Sequence, residues 1–233
     1  MKNKIVHVLC EGQTEQGFVE GVLKPYLLAN GVTSVKSILI NTNKKKGTAG
    51  GMFSFNQVHS NLEIERRTYV DNEYERHIFT TIFDYYALPS TFPEYDKSQN
   101  IADKYERIKL LEDSFAQYEN EVRFIPYIQL HEFEALVFCG LDYLPEKYPG
   151  CEKRIKPLKD ELEKTGNPEL INNNPNTAPS KRIIKAIEGN KAKAICHYNK
   201  PMTGKYITQR IGIEKLREMC PHFNEWIEKI ILK

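Results

Sequence analysis

Nothing in these 233 residues approaches the roughly 20 consecutive apolar positions that a membrane-crossing helix requires. The apolar run that opens the chain, MKNKIVHVLC, meets Glu11 at once and shows no small-residue cleavage site. It reads as the first strand of a cytoplasmic protein with no membrane partner. Cysteine pairs are missing as well. Cys10, Cys139, Cys151, Cys196 and Cys220 are scattered, and none forms a Cys-x-x-Cys, so neither a disulfide framework nor a zinc site is signalled and reduced thiols are expected. There is no internal repeat. The G-x-x-x-x-G-K-[ST] pattern is absent: Gly204-Lys205 is followed by Tyr206, so any ATP hydrolysis belongs to a partner. The formal net charge of +2 is too small to select a partner by itself.

What is present is a chain 40% hydrophobic and 27% charged, able to bury a sizeable core. The charge is unevenly placed. Residues 181–217 hold ten Lys/Arg against two Glu, whereas residues 94–121 hold eight Asp/Glu against four Lys/Arg. One face can therefore meet a polyanion while another carries acid, although a solvated basic surface explains the charge equally well.

Strand and helix patterns alternate up to residue 138. KIVHVL (4–9) is a buried strand; Phe18, Val19, Val22, Leu23, Leu27 and Leu28 then recur at helical spacing, with Thr14 as N-cap and Gly31 as terminator. VKSILIN (35–41) reads as a second strand, NTNKKKGTAGG (41–51) as a loop, 54–70 as a helix and HIFTTIF (77–83) as a third strand. A helix over about 100–119 follows, then a fourth strand, VRFIPYIQL (122–130), and a helix opened by HEFEALVF (131–138). Alternation of this kind predicts an α/β fold with a doubly wound, mainly parallel sheet and helices on both faces. The pattern weakens later. NPELINNNPNTAPSKR (167–182) reads as an ordered loop, with helices expected at 181–189 and 213–232. The expected organisation is an α/β core over 1–140 and a mostly helical extension over 141–233 packed on it as one integrated domain.

Ligands of open parallel sheets bind at the carboxyl ends of the strands. Each predicted strand ends there in polar or acidic chemistry: Glu11, the lysine loop, Asp84, and Glu132 with Glu134. Glu15 lies four residues beyond Glu11, one helical turn on. Its bland reading is a helix N-terminal acid favoured by the macrodipole. Carboxylates gathered together repel unless a cation lies between them, and hard divalent ions such as Mg²⁺ or Mn²⁺ suit oxygen ligands. Glu132 and Glu134 share a side on a strand and diverge on a helix. His131 fits a general base, a metal ligand or a helix N-terminal residue bonding a carboxylate. Tyr85 and Tyr86 fit a core cap or a loop stack.

EGQTE after a short apolar strand, FDYYALP and IPYIQLHEFEALVF resemble a bacterial family known as domain of unknown function 4276. NPELINNNPNTAPSKRI and IGIEKLREMCPHFNEWI extend the resemblance over nearly the whole chain. That family looks like the TOPRIM group, which includes topoisomerases, primases and the nuclease half of overcoming-lysogenisation-defect (OLD) proteins. The resemblance implies a TOPRIM-like fold, metal-dependent phosphodiester chemistry, and a neighbouring ABC-type ATPase in phage defence. It carries the glutamate after strand one onto Glu11, the added glutamate of OLD-type nucleases onto Glu15, and the Asp-x-Asp aspartate onto Asp84. Tyr86 stands where the second aspartate would be. Two metals would then need Glu132 or Glu134; one metal, or a degenerate site, is the alternative.

Phosphodiester cleavage needs positive charge near the developing phosphorane. Lys181 and Lys205 are the candidates for that role. Arg182 and the loop lysines Lys44, Lys45 and Lys46 are candidates for tracking a nucleic-acid backbone, each with a solvated side chain as the bland alternative. A metal-dependent nuclease is the leading expectation. A non-catalytic regulatory or nucleic-acid-binding subunit of an ATPase complex, and an enzyme acting on a phosphorylated small molecule, are its rivals. A homo-oligomer is compatible with the residues, which do not set the oligomeric state.

Overall fold

The computed structural model describes residues 2–43, 48–49, 51–171, 174–189 and 196–233. Lys44, Lys45 and Lys46 lie outside the described residues.

β1 (Asn3–Cys10) is buried from Ile5 onward because both of its faces are covered. Val6, Val8 and Cys10 face one layer; Leu9 faces the other, as the two-residue period of a strand requires. α1 (Gln13–Phe18) follows and runs through a π-helical turn at Val19–Leu23 into α2 (Lys24–Ala29). Its N-cap is Gly12 rather than the expected Thr14: Glu15 reaches back to the Gly12 amide and closes the first turn. Gly31, at φ +87°, ends the segment as expected.

β2 (Ser34–Leu39) pairs with β1. Next come β3 (Asn41–Asn43) and β4 (Thr48–Ala49), which pair antiparallel, and α3 (Phe55–Thr68), capped by Ser54. β5 (Glu75–Asp84) is the longest strand. It leads through a 3₁₀ turn at Tyr85–Ala87 to the short α4 (Tyr95–Ser98), then to α5 (Lys104–Glu119), capped by Asp103.

The expected fourth strand is split into β6 (Phe124–Ile125) and β7 (Ile128–Gln129). Pro126 lies between them and lacks the N–H that a continuous ladder needs. Two threonines of β5 patch the gap. Thr80 Oγ1 donates to the Ile125 carbonyl (2.6 Å), and Thr81 Oγ1 accepts from the Tyr127 amide (2.9 Å).

The main sheet runs β2-β1-β5-β6, with β7 beside the end of β5, and every neighbouring pair is parallel. The α/β fold and parallel sheet follow the alternation in the sequence. One core layer packs Phe55, Val58 and Leu62 of α3 and Leu111 and Phe115 of α5 against Phe79 and Phe83. The opposite layer packs Phe18, Leu23, Leu136 and Phe223 against Val6, Val8 and Ile82.

The second layer is built largely after residue 138. α6 (Glu134–Phe138) is followed by α7 (Leu144–Lys147), α8 (Glu152–Thr165), α9 (Pro179–Glu188) and α10 (Lys200–Ile211). The single helix expected over 213–232 is two, α11 (Ile213–Met219) and α12 (Pro221–Leu232), because Pro221 cannot continue a helix but suits a first turn. Trp226 on α12 stacks on Tyr127 at 4.2 Å and 10°, and its Nε1 donates to Thr80 Oγ1 (2.7 Å), so its one polar atom is satisfied where it is buried. None of the helices among the described residues is long and apolar enough to cross a membrane.

Candidate active site

Cys10, the last residue of β1, pairs with Ile82, so Glu11 emerges beside Phe83 and Asp84 at the end of β5. The chain leaves β1 towards β2 on one side, and β5 lies on the other. Glu11 and Asp84 therefore flank the topological switch point, where open α/β sheets form their ligand crevice.

Four carboxylates at this edge are each pinned by a backbone amide. The Asp84 amide donates to Glu11 Oε2 (3.2 Å), the Phe133 amide to Asp84 Oδ1 (2.7 Å), the Gly12 amide to Glu15 Oε2 (2.9 Å) and the Ser180 amide to Glu132 Oε2 (3.0 Å). A carboxylate offers about four lone-pair sites, so one amide orients the group without exhausting it. The fifth, Glu134, is buried on α6 and meets a cation instead. Lys200 Nζ lies 3.3 Å from its carboxylate, and the Tyr198 hydroxyl donates to it at 3.4 Å. Both Glu132 and Glu134 thus reach the centre, Glu132 from the turn before α6 and Glu134 from its first residue.

The electrostatics bind these groups into one unit. Burial pushes Glu11 up to about 7, with Glu15 and Glu132 adding to the push. Burial also raises Glu15 and Glu134. Asp84 keeps a narrow opening to solvent but is ringed by protein; burial, then Glu15, Glu11 and Glu134, raise it well above the usual carboxylate range. Lys200 runs the other way. Burial alone would lower its pKa, but Glu134, Glu132 and Asp84 more than reverse that and hold it as an ammonium. Lys200 occupies the first turn of α10, where the helix dipole disfavours a cation, so the carboxylates must supply its stabilisation.

Five acids around one lysine leave a surplus of negative charge in a half-buried crevice. Such a site must take up protons or a cation. Among the described residues no three His, Cys, Asp or Glu side chains form a ready-made metal cage. Mg²⁺ does not need one, since it keeps several waters and is commonly held by one or two carboxylates together with substrate phosphates. Glu11 and Asp84, linked through the Asp84 amide, fit that manner of binding; the all-oxygen set suits Mg²⁺ or Mn²⁺ better than a thiophilic ion.

The other candidates lie elsewhere. The Lys181 ammonium donates to the Pro175 carbonyl (2.8 Å) at the surface. Arg182 pairs with Glu161 and donates to the Thr177 carbonyl (2.8 Å). Lys205 lies along Gly21 of the π-helical turn, beside a shallow depression lined by Gln13, Gln16 and Glu20. Among the described residues the cation that reaches the acids is Lys200, five residues earlier, which the sequence reading missed together with Tyr198. An Asn-x-Pro start signal was available: Asn199 caps α10 by accepting from the Met202 amide, and Pro201 occupies its first turn. Gly51, which follows the lysine segment in the chain, donates its amide to the Glu11 carbonyl (2.9 Å).

His131 is buried and held neutral, its pKa lowered to about 4 by burial and then by Lys104. Its Nδ1 lies 3.0 Å from the Tyr86 hydroxyl. Tyr86 therefore braces the turn that carries Glu132, and Tyr85 sits in the core with its hydroxyl accepting from Gln99 (3.0 Å).

Residues 10–231 match the sequence model of a family described as Domain of unknown function (DUF4276). No curated protein and no solved structure matches the chain.

Proposed function

We propose that this chain, which belongs to the DUF4276 family, is a Mg²⁺- or Mn²⁺-dependent nuclease of TOPRIM-like build. The observation that carries the reading is the placement of Glu11 and Asp84 on adjoining strand ends at the switch point, amide-pinned and surrounded by three further carboxylates. A divalent ion there would be held by Glu11 and Asp84, and would supply Lewis-acid polarisation of a phosphodiester.

The chain's own residues do the rest. Glu15 and Glu132, fixed by the Gly12 and Ser180 amides, orient water and ion without having to reorganise. Lys200 presents a positive charge to the phosphate oxygens as negative charge builds there. Glu11, raised to about 7 by burial and its acidic neighbours, would give up its proton as the ion binds, so ion uptake is coupled to proton release. In this reading ATP hydrolysis falls to an ABC-type ATPase partner, and the setting is phage defence.

The test is cleavage of plasmid and single-stranded DNA by purified protein with Mn²⁺. Wild type should cleave; Glu11→Ala and Asp84→Ala should lose activity by two orders of magnitude or more, as expected when an electrostatic element of a site is removed (roughly 10²–10³-fold). Undiminished cleavage in both variants refutes the assignment. The Lys200–Glu134 ion pair, which meets one buried acid with a cation of the chain itself, favours a second reading. In it the centre is a structural element of a non-catalytic subunit, and an ATPase complex containing the chain would bind nucleic acid without cutting it.

A further inference from the structure

α8 and α9 lie side by side and enclose a groove of about 650 Å³. Its floor is apolar, with Leu158 from α8 and Ala186 from α9. Its lining carries four cations: Arg154 from α8, and Lys181, Arg182 and Lys185 from α9. Three of the four keep their charge uncompensated by any acid among the described ion pairs. Arg154 donates to the carbonyls of Ala186 (2.7 Å) and Ile187 (2.8 Å), and Lys181 to that of Pro175 (2.8 Å); only Arg182 has a carboxylate partner, Glu161. Carbonyls orient a cation but do not neutralise it, so the groove keeps a strong positive potential.

The same helix joins the groove to the acidic centre. Ser180, one residue before Lys181, donates its amide to Glu132 Oε2 (3.0 Å). Lys181 and Lys185 stand one turn apart on α9, so positive charge runs along the groove away from the point where α9 meets the acids.

We propose that this groove is a binding track for single-stranded nucleic acid, whose backbone the four cations hold and whose scissile phosphate is thereby delivered beside Glu132. Charge complementarity sets the class of ligand. Size sets the strandedness, because a volume of about 650 Å³ falls in the range of small-ligand pockets, roughly 300–1,000 Å³, and takes one or two nucleotides but not a duplex. Among the described residues the groove's lining contains no aromatic ring, so bases rest on an aliphatic floor and the contacts do not read sequence. Lys181 and Arg182 thus belong to strand binding, with Arg154 and Lys185. The choice of nucleic acid rests on the nuclease reading, but the test below does not depend on cleavage.

The measurement is fluorescence anisotropy of the full-length protein with labelled thymidine and uridine oligonucleotides, in EDTA so that no cutting occurs. About three phosphate contacts on a single strand should give a log–log salt slope near −2. Lys181→Glu with Lys185→Glu should weaken binding tenfold or more and flatten the slope by about 0.7 per lost contact. Trp226 fluorescence on denaturation, and Arg154→Gln as a milder second variant, separate a lost contact from a lost fold. Unaltered affinity and slope in the correctly folded double variant, failure of both oligonucleotides to bind, or equal competition by a duplex would each overturn the proposal. Binding that depends on Lys181 and Lys185 without any cleavage in Mn²⁺ would sink the nuclease reading and leave the groove. Cleavage indifferent to both lysines would do the reverse.

Discussion

Without a divalent ion, raising the pH should weaken the fold, and Glu11 sets the scale. Its carboxyl moves from an ordinary 4.5 to about 7 in the folded chain. A raised value means that the folded state keeps a proton which the unfolded chain has already released. The associated stability is complete below 4.5 and is lost as the pH rises through 7. At about 1.4 kcal/mol per pH unit, that interval corresponds to at most about 3 kcal/mol, trimmed by the water that still reaches the crevice. For a chain of this length 1 kcal/mol moves the melting point by roughly 2–4 °C. Glu11→Gln cannot ionise, so at pH 8 in EDTA it should melt above wild type by several degrees, about 10 °C at the outside. At pH 4.5 the two should coincide. Mn²⁺ should invert the order at pH 8. At a hundredfold excess over its dissociation constant a bound ion adds about 2.7 kcal/mol to wild type, and the variant should forgo most of it. His7 and His131, with pKa values lowered by burial to about 3 and about 4, impose the opposite slope on the acid side. That contribution cancels in the difference between the two proteins. Calorimetric melts at both pH values, with EDTA or Mn²⁺, read the whole pattern. If Glu11→Gln melts at or below wild type at pH 8 in EDTA, and both gain equally from Mn²⁺, the coupled acidic centre is wrong.

Two further substitutions probe the parts around it. Lys200→Met removes the counter-charge of Glu134, Glu132 and Asp84. Cleavage should fall roughly 10²-fold while Mn²⁺ still raises the melting point, and cleavage at the wild-type rate would mean that the ammonium serves packing alone. Gly204 has no room for a side chain: a Cβ there would lie 2.8 Å from Phe133 Cε1 and 3.1 Å from Thr14 Cγ2. Gly204→Ala should therefore cost about 1–3 kcal/mol in denaturant unfolding followed by Trp226 fluorescence. Activity should drop with it, because Thr14 and Phe133 adjoin Glu15 and Glu134 in the chain. Unchanged unfolding would show that α10 does not press on the site.

The strand-end acids were legible because a parallel sheet leaves only its carboxyl edge for polar chemistry, and residue order fixes which side chain lands there. Glu11 and Asp84 needed no more than two well-patterned strands. Lys200 was hidden because its position depends on how α10 docks on α1, a contact between segments nearly 190 residues apart that no local period encodes. α8 was missed for a different reason. Pro157 stands inside it, and a proline within a charged stretch argues against a helix when read locally. The structure carries it as the sixth residue of the helix, which it closes with Gly166 at φ +68°. The fourth strand is shorter than the pattern predicts because VRFIPYIQL is mostly apolar on both sides of Pro126, and the break there is repaired by Thr80 and Thr81 from another strand, out of sight of the local sequence.

Tyr86 stands where the resemblance places a second aspartate. Its hydroxyl meets His131 Nδ1 (3.0 Å), and its amide donates to the His131 carbonyl (3.0 Å). His131 is held at φ +64°, a left-handed conformation that costs a non-glycine residue energy and persists only when the surroundings fix it. That conformation turns the chain sharply after β7. The turn in turn aims the Phe133 amide at Asp84, sends Glu132 to Ser180 and starts α6 on Glu134. An aspartate at position 86 would be too short to make the contact with His131 and would remove the brace on the turn that delivers Glu132 and Glu134. In the proposed nuclease the ligands of any second ion must then come from Glu132 and Glu134, and its occupancy would depend on the Lys200–Glu134 pair opening when a phosphate arrives.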